Sequence, residues 1–189
     1  MEISNLTINQ ITERNYSRCV ARLLNTSFPT GEVNLEITPL NAASIICSNK
    51  KNIYGAFIDK DVEKQLVGVA LYYPKEDDSN MSVANFFTTS FNGSNVKGLK
   101  VKKNNEVELV TLAVDVDYQH QGIATRLVRE SITSVQRAYP EHKITTSCLS
   151  DLYEFYKNVG FVIERDMTPK GAKAELRAYE MRYDSKRAR

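Results

Sequence analysis

Apolar positions change period several times along the chain, and each change marks an element. In LTINQIT (6–12) they alternate with polar ones, which predicts a strand. Tyr16, Cys19, Val20, Leu23 and Leu24 then fall at helical spacing and predict an amphipathic helix, stopped by Phe28-Pro29. Thr38 places a capping hydroxyl just before Pro39, the favoured first residue of a helix, so a short helix opens there and runs through NAASIICS. IYGAFID and QLVGVALYY are β-rich runs on either side of the charged turn KDVEK, the pattern of a hairpin.

The second half of the chain reads in the same way. VELVTLAV (107–114) predicts a long buried strand, and Ala124, Leu127, Val128, Ile132 and Val135 mark one face of a helix that ends before Pro140. KITTSCL (143–149) is a short strand. Ser150 then caps a helix with Leu152, Phe155, Tyr156 and Val159 on its inner face, closed by Gly160. FVIERD and AELRAYEMRY form a second hairpin. The order β-α-α-β-β-β-α-β-α-β-β predicts an α/β fold, a mixed and mostly antiparallel sheet flanked by helices. It forms one domain over residues 1–184, followed by a basic tail, 185–189. Residues 74–104 make a long insertion between strands, too long for a plain connection; it carries the acidic run Glu76, Asp77 and Asp78.

Composition narrows the function classes. A chain of 189 residues that is 42% hydrophobic can bury one sizeable core. A net charge of +2 is too balanced to point to nucleic acid. No run of 18 apolar residues and no basic, apolar leader occurs, so a cytoplasmic protein without membrane contact is expected. Cys19, Cys47 and Cys148 have no metal-like spacing, and His120 and His142 are the two histidines, so no metal site is expected.

The chemistry concentrates in VDVDYQHQGIATRL (114–127). Gln119, His120, Gln121, Gly122, Ile123 and Ala124 fit Gln/Arg-x-x-Gly-x-Gly/Ala. About one random chain in five of this length would hold that pattern, so its context has to decide. It follows a strand and opens a helix, where unpaired N–H groups and the helix dipole favour an anion. Gly122 lets a ligand approach the backbone without a Cβ in the way.

Taken with LYEFYKNVGF (152–161), one strand and one helix further on, this stretch resembles the GNAT superfamily of N-acetyltransferases. Its acetyl-CoA motif is most similar to that of the enzymes acting on protein N-termini. SFPTGE (27–32) resembles a Phe-Pro those enzymes carry after their first helix. The resemblance implies transfer of the acetyl group of acetyl-CoA to a primary amine by direct attack in a ternary complex, the acceptor being a protein N-terminus, a lysine or a small amine. It implies that acetyl-CoA lies between the strands at VELVTLAV and KITTSCL. The backbone of Leu112 and Val114 would hold the pantetheine arm, and the amides of Gln119, His120, Gln121, Gly122, Ile123, Ala124 and Thr125 the pyrophosphate.

Tyr156 matches the tyrosine that protonates the departing thiolate. Glu108 matches a glutamate some relatives use as base, and alternation along a flat strand puts it on one face with Val110, Leu112 and Val114, with Glu106 of the same parity behind it. Ile144 stands where some relatives place a Glu or His as base on the second strand, and it cannot serve as one. Cys148 has no histidine motif to activate it. The tyrosines that clamp a peptide in N-terminal acetyltransferases have no counterpart in TGEVNLEIT or RDMTPKG. The alternative from another class is a non-catalytic acyl-CoA-binding module.

Overall fold

The computed structural model describes residues 5–27, 37–48, 52–60, 63–75, 105–168 and 177–188. Most of the 74–104 insertion, Phe28-Pro29 and the region after Thr168 lie outside them. Strand β1 (Leu6–Gln10) leads through a short 3-10 turn into α1 (Ser17–Ser27), and α2 is Pro39–Ser48. Strands β2 (Ile53–Lys60), β3 (Glu63–Pro74) and β4 (Glu106–Val114) follow, then α3 (Ile123–Ala138), β5 (Lys143–Leu149), α4 (Tyr153–Asn158), β6 (Phe161–Asp166) and β7 (Ala178–Tyr183). This is the order the hydrophobic periods predict.

The strands form one seven-stranded sheet in the order β1-β2-β3-β4-β5-β7-β6. Every neighbouring pair is antiparallel except β4 and β5. Helices cover both faces because both faces carry apolar side chains. On one side Val20, Leu23 and Leu24 of α1 and Ile45 and Ile46 of α2 pack on Phe57, Leu66, Val69, Leu71 and Ala113. On the other, Leu127, Val128, Ile132 and Val135 of α3 and Tyr156 of α4 pack on Tyr54, Tyr72, Val107, Leu109, Ile144 and Met181. No helix among the described residues is long and apolar enough to cross a membrane.

Local chemistry sets the helix ends. The Thr38 hydroxyl accepts the Asn41 amide at 3.2 Å, capping α2 as its sequence predicts. Gly160 follows α4 with φ +106°, and a side chain there would run into Ala188 and Tyr183 at 3.0 Å. The start of α4 departs from expectation. Ser150 opens a 3-10 turn through Leu152 instead of capping the α-helix, and Leu152 is 48% exposed instead of facing the core. The Ser150 amide donates to Arg177 O at 2.8 Å, which holds that residue to the strand side and delays the helix by a turn. The tail also differs from a frayed end: residues 185–187 form a turn, closed by Arg187 N donating to Asp184 O at 3.0 Å, and Ala188 comes back beside Gly160.

Phe161 lies between Tyr156 and Tyr183, with edge-on ring contacts at 5.5 and 5.6 Å, and is 1% exposed. Phe161→Ala opens a cavity under α4 and is expected to cost about 3–5 kcal/mol. Urea denaturation read by circular dichroism checks this; a midpoint equal to the parent's would show that the aromatic stack contributes nothing.

Candidate active site

The two parallel strands do not stay together. β4 and β5 pair over four positions, from Glu106 opposite Lys143 to Leu109 opposite Thr146, where the Thr146 hydroxyl donates to Leu109 O at 3.0 Å. Beyond that point β4 continues with β3 as far as Val114 opposite Gly68, and β5 with β7 as far as Leu149 opposite Ala178. Each strand keeps its outer partner while the inner edges part. The cause is in the β3–β4 register: Leu71 pairs with Thr111 and Tyr72 with Leu109, leaving Val110 as an extra residue. Such a bulge bends its strand and increases the local twist.

The bulge also reverses which face each side chain takes. Val107 and Leu109 share the α3/α4 core with Leu112 and Val114, whereas Val110 and Ala113 pack on the α1/α2 side. Glu108, between Val107 and Leu109, therefore faces the α1/α2 side, opposite to Leu112 and Val114. The expectation that all four share a face is corrected here, because strict alternation fails across a bulge. Backbone direction favours the residues singled out earlier. The Asp115 amide donates to Val67 O on β3 at 2.8 Å. Alternation in an antiparallel ladder then turns the N–H and C=O groups of Leu112 and Val114 toward the opening.

The loop at the end of β4 holds two left-handed residues. After a 3-10 turn (Val116–Tyr118), His120 takes φ +59° and Gly122 φ +79°. Left-handed residues among ordinary ones turn successive N–H groups into one concavity. Gly122 is the N-cap of α3, and the first helical bond there is Arg126 N to Gly122 O at 3.0 Å. Among the described residues, no backbone hydrogen bond occupies the amides of residues 120–125. A Cβ on Gly122 would meet nothing within 4 Å, so the space before the helix is open. His120 is exposed. The Gln119 side chain reaches back, its Nε2 donating to Val114 O at 3.0 Å, and Gln121 Nε2 donates to Asp117 O at 3.3 Å. Ile123 is buried in the core, and Ala124 and Thr125 are half-buried in the first turn.

Tyr156 is 7% exposed on the α3/α4 side, beside Thr146 and Cys148 on β5. Burial pushes its hydroxyl up to about 12, with a smaller opposing effect from Thr146. Cys148 touches Met181 sulfur at 3.5 Å, and burial followed by the Asp151 charge raises its thiol to about 11, far from a thiolate at neutral pH. Ile144 lies in the core.

On the opposite face Lys75 bridges two carboxylates, 3.4 Å from Glu106 Oε2 and 3.3 Å from Glu108 Oε2. Burial works against the ammonium, but Glu108 and Glu106 together outweigh it and raise its pKa. Ser147 Oγ donates to Glu108 Oε1 at 3.4 Å across the opening. Glu108 and Tyr156 thus flank the parted strands from opposite faces. Among the described residues, no group of three or more His, Cys, Asp and Glu side chains could hold a metal.

Sequence reasoning missed Lys75, Ser147 and the pair of Asp115 with Arg22. The VDVDY run carries a trace of Asp115, since an aspartate two residues before another amide is a turn signature. Nothing along the chain links it to Arg22, 93 positions earlier (115 − 22).

The fold recurs in known proteins. Residues 78–185 match the acetyltransferase (GNAT) domain family. No curated protein matches the chain. A chain of the NatC complex bound to Gag peptide and CoA shares the fold with a TM-score of 0.62 at 15% identity, over 97% of this chain and 98% of that one. Arabidopsis thaliana Naa50 in complex with the bisubstrate analogue CoA-Ac-MVNAL gives 0.60 at 14% identity, over 95% and 99%. The Salmonella typhimurium protein yncA, described as an acetyltransferase with its cofactor acetyl-CoA, gives 0.66 at 13% identity, over 96% and 94%. The family match spans more than half of the sequence, and the parted parallel strands, the left-handed loop and the buried tyrosine belong to the matched stretch: the chain belongs to the GNAT acetyltransferase family.

Proposed function

We propose that the protein moves the acetyl group of acetyl-CoA to a primary amine by direct attack in a ternary complex. The observation that carries this reading is the parting of β4 from β5, with an anion cradle at its outer end and one titratable side chain on each face. The edge of β4 at Leu112 and the Val114 amide suits an amide-bearing arm, and the open space at Gly122 suits a pyrophosphate. The bound cosubstrate supplies an activated thioester. The chain's residues supply orientation and proton control.

Tyr156 stays protonated at neutral pH and can donate a hydrogen bond to a developing thiolate on the α3/α4 side. Glu108 receives the amine's proton, directly or through water, from the other face. Separation by the sheet keeps the two groups from neutralising each other. The acceptor enters on the Glu108 side. Likeness to peptide-bound NatC and Naa50 chains favours a peptide amine among the acceptors.

CoA release on incubation with acetyl-CoA and pooled peptides or polyamines tests the reading. Binding of acetyl-CoA with no thiol release on any pool would overturn it in favour of a non-catalytic module.

Gly122→Asp is expected to weaken acetyl-CoA binding by about 2–3 kcal/mol, through repulsion of the pyrophosphate across a few ångströms. The added side chain meets open space, so the variant should fold apart from the strain of a left-handed residue. Calorimetry giving the parent's affinity removes the cradle assignment.

Tyr156→Phe deletes only a hydroxyl. Turnover is expected to fall by about 10²–10⁴-fold while acetyl-CoA affinity holds. Because the Tyr156 hydroxyl loses its proton only near 12, the parent rate should show no alkaline loss from this group below about pH 11. A variant that turns over normally but melts earlier would make the hydroxyl structural.

Glu108→Gln should lower the rate at neutral pH by about 10²-fold or more. Raising the pH restores part of it, and more for a lysine-like acceptor than for an α-amine, whose lower pKa leaves more of it neutral already. An unchanged pH–rate profile rules Glu108 out as the base.

A further inference from the structure

Asp115 is the last residue before the loop turns away from β4, and its side chain is 5% exposed. Its Oδ2 meets the Arg22 guanidinium of α1 at 2.7 Å. The other oxygen accepts the Asp117 amide at 3.3 Å, a weak bond. Its backbone is fixed on both sides: the amide donates to Val67 O at 2.8 Å, and its carbonyl accepts the Tyr118 amide at 2.9 Å. The turn that launches the cradle is thus held by its backbone and by one carboxylate. Among the described residues that carboxylate has one charged partner, on a helix of the other layer.

Arg22 itself stands on a rigid base. Val20, Leu23 and Leu24 on either side of it are locked into the core under α1, which also holds Ala113 of β4. The Arg22 side chain is 51% exposed, so part of its head remains in water and its ion pair with Asp115 is half screened. The pair is thus poorly placed as a stabiliser of the fold and well placed to fix an angle. It ties the helix on the Glu108 face to the loop whose amides aim at the anion.

We propose that Arg22 is a positioning residue for acetyl-CoA, acting through Asp115 to hold the cradle amides in register with the open edge of β4. Arg22 touches neither substrate. Without it the Asp115 carboxylate keeps only the weak Asp117 bond and turns toward water. The Val116–Tyr118 turn follows, and with it the amides at residues 120–125. The link works in both directions, so an acceptor whose binding shifts α1 changes acetyl-CoA affinity by the factor by which acetyl-CoA changes the acceptor's.

The inference rests on the acetyl-CoA reading of the loop. Arg22→Gln is expected to raise both the Kd and the KM for acetyl-CoA on the order of tenfold, with kcat at saturating acetyl-CoA changed far less. Arg22→Lys restores part of the affinity, since a point charge can meet the carboxylate without the guanidinium fork. The double variant Arg22→Gln, Asp115→Asn removes the buried charge together with its partner, so its melting temperature should return toward the parent's while acetyl-CoA affinity stays low.

Calorimetry with acetyl-CoA and thermal melts on these three proteins read out the two effects separately. Affinity that simply follows melting temperature, so that the double variant binds like the parent, overturns the proposal and leaves a structural ion pair. Parent affinity in Arg22→Gln overturns it as well. Neither outcome touches the cradle itself, which fails only if Gly122→Asp binds acetyl-CoA normally.

Discussion

The site depends on two strands being unable to stay paired. A parallel ladder that ran the full length of β4 and β5 would satisfy every backbone group and leave no edge for a ligand. The extra residue at Val110 prevents this. It bends β4 away from β5 just where Thr146 closes the last contact on Leu109 O. The unpaired edge is tolerable because the outer partners, β3 and β7, hold both strands in place. A gap that would be a defect elsewhere in the sheet becomes an opening through it, so chemistry can be divided between its two faces.

Much of this was legible in the sequence. The alternation of apolar positions and the caps at Thr38 and Gly160 were enough to order the eleven helices and strands among the described residues, because each signal is local. The loop between β4 and α3 was legible for the same reason, as a glycine between a strand and a helix is a local pattern. What the sequence hid was pairwise. The bulge arises from the register of Val110 against Leu71 and Tyr72, which no single strand encodes. It moved Glu108 to the face opposite Leu112, against a reading that assumed flat alternation. Lys75 and Ser147 around Glu108, and Arg22 beneath Asp115, are brought together across 33 to 93 positions by the sheet and by α1. Ser150 misled because a capping residue signals a turn as readily as a helix, and the bond to Arg177 O selected the turn.

The face that holds Tyr156 sets a limit on what it can do. Burial raises its hydroxyl from 10.0 to about 12, while an ordinary alkyl thiol lies near 8.5. Full transfer of the tyrosine proton to a thiolate then runs uphill. In the proposed reaction the group acts best as a fixed hydrogen-bond donor while negative charge grows on sulfur, and water supplies the proton that turns the departing thiolate into the thiol. The same burial has a sign in stability. The folded-state pKa lies above the unfolded one, so the contribution of this group is whole below pH 10 and drains away as the pH rises through about 12. At physiological pH nothing is lost. A tyrosine kept neutral by the core that positions it, across the sheet from a carboxylate held by Lys75 and Ser147, lets one fold present a donor and an acceptor that never meet.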